Sequence, residues 1–330
     1  MTMTRTIPGI DMPVSALGMG CWAIGGPFLY MDIQAGWGEV DDAESIRAIH
    51  HAIDSGINLF DTAANYGTGH SETVLGKALK GKRDKAVIAT KFGHQIDYDK
   101  KRVSAYEELE TVIQIVQSEC EKSLRRLGVE TIDLYQLHVN EYPTEYAVRL
   151  VDELEKLVQA GKIRTYGWST DFVPEARAFT EASNCAAIQH DLNVVYDAPD
   201  MLALCEEKGM ASLNRTPLAR GALTGKYNAQ STFGQDDVRN DPWAQEYVLQ
   251  PAYDALDALR DILTSEGRTL AQGALAWIWA RSETTIPIPG IRTPKQAIEN
   301  AGAMQFGPLT PEQMQEIDQI LGRMPQQASH

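Results

Sequence analysis

Short apolar runs recur along this chain at Ala16–Cys21, Ile57–Asp61, Ala86–Lys91, Ile132–His138, Ile163–Ser169, Ala186–His190, Met210–Arg215 and Thr284–Ile288. Stretches with helical periodicity lie between them. Alternation of this kind implies a parallel sheet covered by helices, because a parallel connection needs a crossover long enough to hold one. Eight such units in 330 residues fit a closed (β/α)8 TIM barrel better than an open sheet. The segment Thr4–Ser15, with Pro8-Gly9-Ile10-Asp11 at its middle, reads as a short N-terminal β-hairpin. No linker, repeat or low-complexity tract divides the chain, so residues 1–330 are expected to form one barrel domain.

The helices have readable limits. Asp42 is the expected cap of a helix carrying Ile46, Ile49 and Ile53 on one face and ending at Gly56. A second presents Leu109, Val112, Ile113, Val116, Cys120, Leu124 and Leu127 and ends at Gly128; a third runs from Glu145 to Ala160, with Gly161 as its stop. Gly25–Val40 and Tyr227–Pro242 break the rhythm and are candidate substrate loops.

Charge and cysteine usage narrow the functional classes. The net charge of −15 repels nucleic acid and anionic membranes, so an anionic ligand needs local positive charge. No run approaches the ~18 apolar residues of a membrane helix, and Met1-Thr2-Met3-Thr4-Arg5 leads into no signal-peptide core. Cys21, Cys120, Cys185 and Cys205 form no CxxC pair and read as free thiols of a reducing compartment, the cytoplasm. No metal is expected: His50 and His51 face different ways on a helix, and His70 and His94 lack partners at ligand spacing.

Gly18-Met19-Gly20-Cys21-Trp22-Ala23 spells GxGxxA after the first strand, which would suggest a dinucleotide fold if a helix began there. Ile24-Gly25-Gly26-Pro27 cannot open one, so these glycines are expected to let backbone approach a ligand at the barrel mouth. Polar residues at the ends of consecutive strands carry more. The second, third and fourth strands end at Asp61, Lys91 and His138, and Tyr66 follows Asp61 in the same loop. Catalytic groups of such barrels stand where strands end, so these four should converge.

Together they suit carbonyl reduction. Tyr66 can give a proton to the carbonyl oxygen, and Lys91 can stabilise the phenolate left behind. Asp61 keeps Lys91 charged and aimed, since a buried ammonium without a partner is costly. His138 can hold and polarise the carbonyl. Taken singly, Asp61 could fix a turn, Tyr66 could be a rim aromatic and His138 a satisfied core histidine; Lys91, ending Val87-Ile88-Ala89-Thr90, needs a partner in any reading.

The chain from Ser15 to Gly302 closely resembles the aldo-keto reductase family. The resemblance rests on Gly56-Ile57-Asn58-Leu59-Phe60-Asp61-Thr62-Ala63, Tyr66-Gly67, Ser71-Glu72, Leu75-Gly76, Ala89-Thr90-Lys91 and Asp133-Leu134-Tyr135-Gln136-Leu137-His138. It implies a catalytic tetrad of Asp61, Tyr66, Lys91 and His138. It also implies NADP(H) stretched across the barrel mouth, with Trp22 and Asp61 at the nicotinamide end. Gly167-Trp168-Ser169-Thr170 and Gln189 resemble the carboxamide site, although Thr170 replaces the usual asparagine. Asn214 to Gly221 resembles the pyrophosphate loop. There Arg215 would stack on nicotinamide or reach an anionic substrate, and Pro217, Leu218, Gly221 and Lys226 are candidates for the phosphates. Gly290, Arg292, Gln296, Glu299 and Asn300 resemble the adenosine end, Arg292 facing the 2′-phosphate with Lys295 as support.

The resemblance implies an NADP(H)-dependent oxidoreductase, with a small carbonyl or alcohol as its only expected partner; the sequence sets no oligomeric state. Trp22, Phe28, Tyr30, Trp37 and Trp168 are candidates to wall the substrate pocket, and their mix with polar residues suits a sugar-type carbonyl. The alternative is a cofactor-sensing regulatory subunit like the β-subunits of voltage-gated potassium channels, which share this fold. Against it, the start is short and the tail Met324–His330 is small and polar. A barrel hydrolase would leave Lys91 beside Tyr66 unexplained.

Overall fold

The computed structural model describes residues 3–323. Eight strands form one sheet in chain order: β1 (Gly18–Gly20), β2 (Leu59–Asp61), β3 (Val87–Phe92), β4 (Ile132–Leu137), β5 (Ile163–Ser169), β6 (Ala187–Asp191), β7 (Ala211–Arg215) and β8 (Thr285–Pro287). Each pairs in parallel with the next. Just beyond β8 the ring meets β1: Gly20 N donates to Pro289 O at 2.9 Å, and Ile291 N donates to Gly20 O at 3.4 Å. The glycines of GxGxxA serve this seam. A Cβ on Gly20 would stand 2.6 Å from Ile288 O, and one on Gly18 2.7 Å from Ile288 Cγ2. Trp22–Ile24 forms a single 3-10 turn instead of a helix start.

Strand parity divides the interior. Leu59, Val87, Ala89, Leu134, Ala187, Leu213 and Ile286 fill the barrel's inside, and Ile7 and Val14 of the hairpin pack with them. That hairpin pairs Thr4–Arg5 with Val14–Ser15. Residues of the opposite parity, among them Phe60, Ile88, Tyr135, Trp168 and Ile188, pack outward among the helices. Following the inward residues toward the strand ends, the lining turns from aliphatic to polar: Asp61, Lys91, Gln136 and Gln189, all buried.

The helices are α1 (Asp42–Asp54), α2 (His70–Ala78), α3 (Glu110–Leu127), α4 (Thr144–Gln159), α5 (Val173–Glu181), α6 (Pro199–Lys208), α7 (Gln250–Leu263), α8 (Leu270–Arg281), α9 (Pro294–Gly302) and α10 (Pro311–Ile320). The cap of α1 is Asp41 and not Asp42. Its backbone is extended, and its carboxylate accepts from Ala43 N at 2.8 Å and Glu44 N at 3.2 Å. A cap must precede the first helical residue, and Asp42 is already that residue.

The loop Gly25–Val40 is less irregular than expected. Leu29–Tyr30 and Ile33–Gln34 pair with each other and join Gln95–Asp97 and Arg102–Ser104 in a small sheet. It also meets the second long loop. Val238 N donates to Gly36 O at 2.7 Å and Gly38 N to Asp236 O at 3.1 Å. The tail Met324–His330 lies outside the described residues, among which no helix is long and apolar enough to cross a membrane.

Candidate active site

The four polar residues at the ends of β2, β3 and β4 do converge. Lys91 Nζ, without solvent exposure, donates to Asp61 Oδ2 at 2.6 Å and Thr62 O at 2.9 Å, and lies 3.3 Å from the Tyr66 hydroxyl. The other carboxylate oxygen of Asp61 accepts from Gln189 Nε2 at 2.9 Å and Gln136 Nε2 at 3.3 Å. Burial alone would lower the Lys91 pKa, but the carboxylate of Asp61 and the hydroxyl of Tyr66 outweigh it, and the pKa is raised. The ammonium therefore keeps its proton. Burial lifts the Tyr66 phenol above its usual range, and Lys91 offsets only part of that. Burial, reinforced by Lys91, His94 and Arg215, pushes His138 well below the ordinary imidazole value. At neutral pH the site holds an ammonium, a protonated phenol and a neutral imidazole.

Rings make a continuous wall around these groups. Trp22 stacks against Tyr66 with centroids 6.0 Å apart, and Trp37 meets Trp22 edge-on at 5.3 Å. On the other side, His138 lies 5.7 Å from Tyr66, His94 lies 5.2 Å from His138, and Tyr30 lies 5.5 Å from His94. Trp22 is held by its indole N–H, which donates to Ala35 O at 2.8 Å. Trp22, Tyr30 and Trp37 are thus together at the site, and Phe28 is buried in the same loop. Trp168 is not with them. Its parity turns it outward, where it packs on Phe179 of α5 and donates to Val139 O at 2.8 Å.

The cofactor candidates fall along the strand ends from β5 to β8. Ser169 and Gln189 are partners in the parallel register and both are buried, Gln189 turned toward Asp61. Thr170, placed at the carboxamide by sequence, is engaged elsewhere. Its hydroxyl donates to Asn140 O at 2.6 Å and accepts from Phe172 N at 3.1 Å, in a fully buried position. Arg215 is clamped between Asp171 and Asp191, the latter at 2.9 Å. Two carboxylates cancel its charge, so an anionic substrate gains little from it, whereas its planar face is fixed. Thr216, Ala219 and Arg220 have left-handed backbones with φ of 55°, 45° and 52°, and Pro217 and Leu218 lie inside that loop. Non-glycine residues held in this region usually mark a functional loop. Gly221 does not offer its amide outward, because that N–H donates to Leu218 O at 2.8 Å. Lys226 is exposed and leans over the Tyr227 ring at 5.1 Å.

At the far end, Arg292 donates to Trp37 O at 2.9 Å and Glu39 O at 2.6 Å, pinning the loop after β1. Lys295 is exposed in the first turn of α9. Gln296 has a structural task as well: its carbonyl oxygen caps the start of α9, accepting from Arg292 N at 2.8 Å and Thr293 N at 3.2 Å. Glu299 is half-buried and Asn300 buried on the same helix, and Gly290 is exposed at the seam.

A model of the aldo/keto reductase family matches residues 16–322. The chain belongs to that family. Among relatives, the aldo-keto reductase YhdN of Bacillus subtilis is 31% identical over 322 residues, covering 96% of this chain and 92% of its own. The aldo-keto reductase yakc [NADP(+)] of Schizosaccharomyces pombe is 30% identical over 314 residues, 92% of this chain and 86% of its own. Among solved structures, the glycerol dehydrogenase AKR11B4 of Gluconobacter oxydans superposes with a TM-score of 0.81 at 36% identity, covering 99% of this chain and 98% of that one.

In this aldo-keto reductase several site residues escaped the sequence reading. Gln136 supports Asp61 beside Gln189, Asp171 and Asp191 clamp Arg215, and His94 continues the ring wall. Arg220, whose guanidinium lies 5.6 Å from the Trp22 ring, was likewise unassigned. A signal for Gln136 and Asp191 was present: both stand at the inward parity near a strand's end, where apolar residues would otherwise continue. Asp171 and His94 follow their strands in loops, where parity says nothing.

Proposed function

We propose that this chain, as one barrel domain in the cytoplasm, reduces an aldehyde or ketone of sugar or polyol type with NADPH. One observation carries the reading: Lys91, buried without exposure, is bound by Asp61 at 2.6 Å and stands 3.3 Å from the Tyr66 hydroxyl. A proton-donating phenol next to an ammonium that Asp61 helps keep charged is what a developing alkoxide needs. When bound, the nicotinamide supplies the hydride to the carbonyl carbon. Tyr66 gives its proton to the carbonyl oxygen, and the phenolate that remains is stabilised by Lys91. Asp61, fixed by Gln136 and Gln189, holds Lys91 in place. His138, neutral, donates one ring N–H to the same carbonyl oxygen and orients it. Because Tyr66 is held protonated well beyond neutrality, the resting site is an acid, which suits reduction.

The rim fits an extended dinucleotide phosphate. Arg215 offers a fixed planar face for the nicotinamide, the loop from Thr216 to Arg220, with left-handed backbone at three residues, is the segment assigned to the pyrophosphate, and Arg292 with Lys295 supplies the positive charge that a −15 chain needs locally. Two of the guanidinium's five donors are spent on Trp37 O and Glu39 O, which leaves others for a 2′-phosphate. The relative from Schizosaccharomyces pombe carries NADP(+) in its name, and the Gluconobacter oxydans structure is of a glycerol dehydrogenase; both support this choice of cofactor and of a hydroxylated substrate. The four cysteines, buried and unpaired, accord with a reducing compartment.

The test is a fluorescence titration with NADPH and NADH. NADPH is expected to bind at least about tenfold tighter, worth roughly 1.4 kcal/mol, and Arg292→Ala to erase the difference. A carbonyl screen with Tyr66→Phe as the blank then tests turnover. Binding of neither cofactor would overturn the proposal, and binding with only single, slow turnovers would favour the cofactor-sensing role instead.

A further inference from the structure

His94 has no task in the reaction as described, yet it stands beside the residue that holds the carbonyl. It follows Lys91 through Phe92 and Gly93, and Gly93 takes φ of +117°, a turn that a side chain would oppose. The turn sets the His94 ring edge-to-face with His138 at 5.2 Å and with Tyr30 at 5.5 Å. Burial holds its pKa down to about 4, so the ring is neutral and carries one N–H. Nδ1 is buried and meets no partner among the described residues, while the residue as a whole keeps some exposure. Unpaired buried donors are rarer than unpaired acceptors. The proton therefore belongs on Nε2, on the more open side of the ring. Asn65, Lys91, His94 and His138 border one tightly packed gap, so any ligand reaches the His94 ring from its exposed side.

We propose that His94 is a specificity residue, binding the hydroxyl oxygen on the carbon next to the reacting carbonyl. On that assignment the enzyme prefers α-hydroxy carbonyls, and vicinal diols in the reverse direction. The inference rests on the reductase reading above. Its logic is the spacing of the two imidazoles. Oxygens on adjacent carbons lie about one hydrogen-bond length apart, so two rings in contact can take one each, His138 the carbonyl and His94 the hydroxyl. A site that carries polar groups for a hydroxyl discriminates against the analogue lacking it, because those groups are then left unpaired.

The experiment compares hydroxyacetone with butanone, which have the same number of heavy atoms and differ by one hydroxyl. The wild type is expected to favour hydroxyacetone. His94→Phe keeps a ring against His138 and Tyr30 but removes the N–H. It should lower the ratio of kcat/KM for hydroxyacetone over that for butanone about tenfold or more. His94→Asn, which restores a donor, should recover part of the preference. A parallel fall for both substrates, or no change for either, would overturn the assignment while leaving the reductase reading intact. A wild type that reduces no carbonyl with either cofactor would overturn both.

Discussion

The corner around Lys91 and the rim around Arg292 hold their polar groups by different means. At the corner, side chains from β2, β3, β4 and β6 satisfy one another inside the barrel: Lys91 with Asp61, Asp61 with Gln136 and Gln189. Each sits on a strand whose position the sheet fixes. At the rim, charged side chains hold loops. Arg292 binds the backbone oxygens of Trp37 and Glu39, and Arg215 is shared between Asp171, after β5, and Asp191, at the end of β6. On the proposed function, the proton-transfer groups Asp61 and Lys91 rest on strands, and the cofactor's far end meets connections such as the one Arg292 holds.

The contrast can be broken by substitution. Lys91→Met should be the most damaging change, cutting kcat by about 10²–10⁴-fold as expected for loss of proton-transfer support. It should leave NADPH affinity within a few-fold, measured by fluorescence. A large loss of cofactor binding in that variant would show that the corner and the rim are one unit. Arg215→Leu should show the reverse pattern. It strands Asp171 beside the half-buried Asp191, costing roughly 1–3 kcal/mol after discounting for partial exposure, and weakens cofactor binding about tenfold (roughly 1.4 kcal/mol), with kcat at saturation within a few-fold. Thermal melts and single-turnover kinetics would read both.

Acid should act chiefly through buried imidazoles. Burial lowers His94 and His190 to about 4 and pushes His138 well below its usual value. In the unfolded chain these groups take up protons near their ordinary pKa of about 6.5, whereas the folded protein refuses them until lower pH. The unfolded state thus binds more protons, and stability, full above that range, is lost as pH falls toward 4. Melts from pH 7 to pH 4.5 should show the decline, and His190→Gln should reduce its slope. At the alkaline end, reduction should fall only once Tyr66 ionises, above the ordinary phenol range. The smallest effect belongs to Trp168→Phe, which loses the bond to Val139 O at a cost of about 1 kcal/mol. Its substrate preference should be unchanged, since the ring faces α5.

The barrel and its corner were legible because both follow from strand parity and strand ends, which are local. The eight apolar runs lie where the strands are, and Asp61, Tyr66, Lys91 and His138 stand in contact. The rim was less legible because its contacts join distant segments. Nothing near Arg292 announces a bond to Trp37 O. Thr170 read as a weakened amide ligand, yet its partner Asn140 lies on another strand's exit. Trp168 was assigned to the pocket by its place at a strand's end, when its parity already argued against that.

The seam between β1 and β8 has a consequence for how ligand and scaffold share energy. Its closure rests on few backbone bonds around Gly20, Pro289 and Ile291, so it is where the ring should open first in amide exchange. Trp22 and Arg292 each stand two residues past the bridged glycines, one on either side. A ligand that touches both is a brace across the joint, and by mass action its affinity is added to the stability of the closed ring. Protection of the Gly20 and Ile291 amides therefore becomes a gauge of cofactor occupancy, readable without any substrate at all.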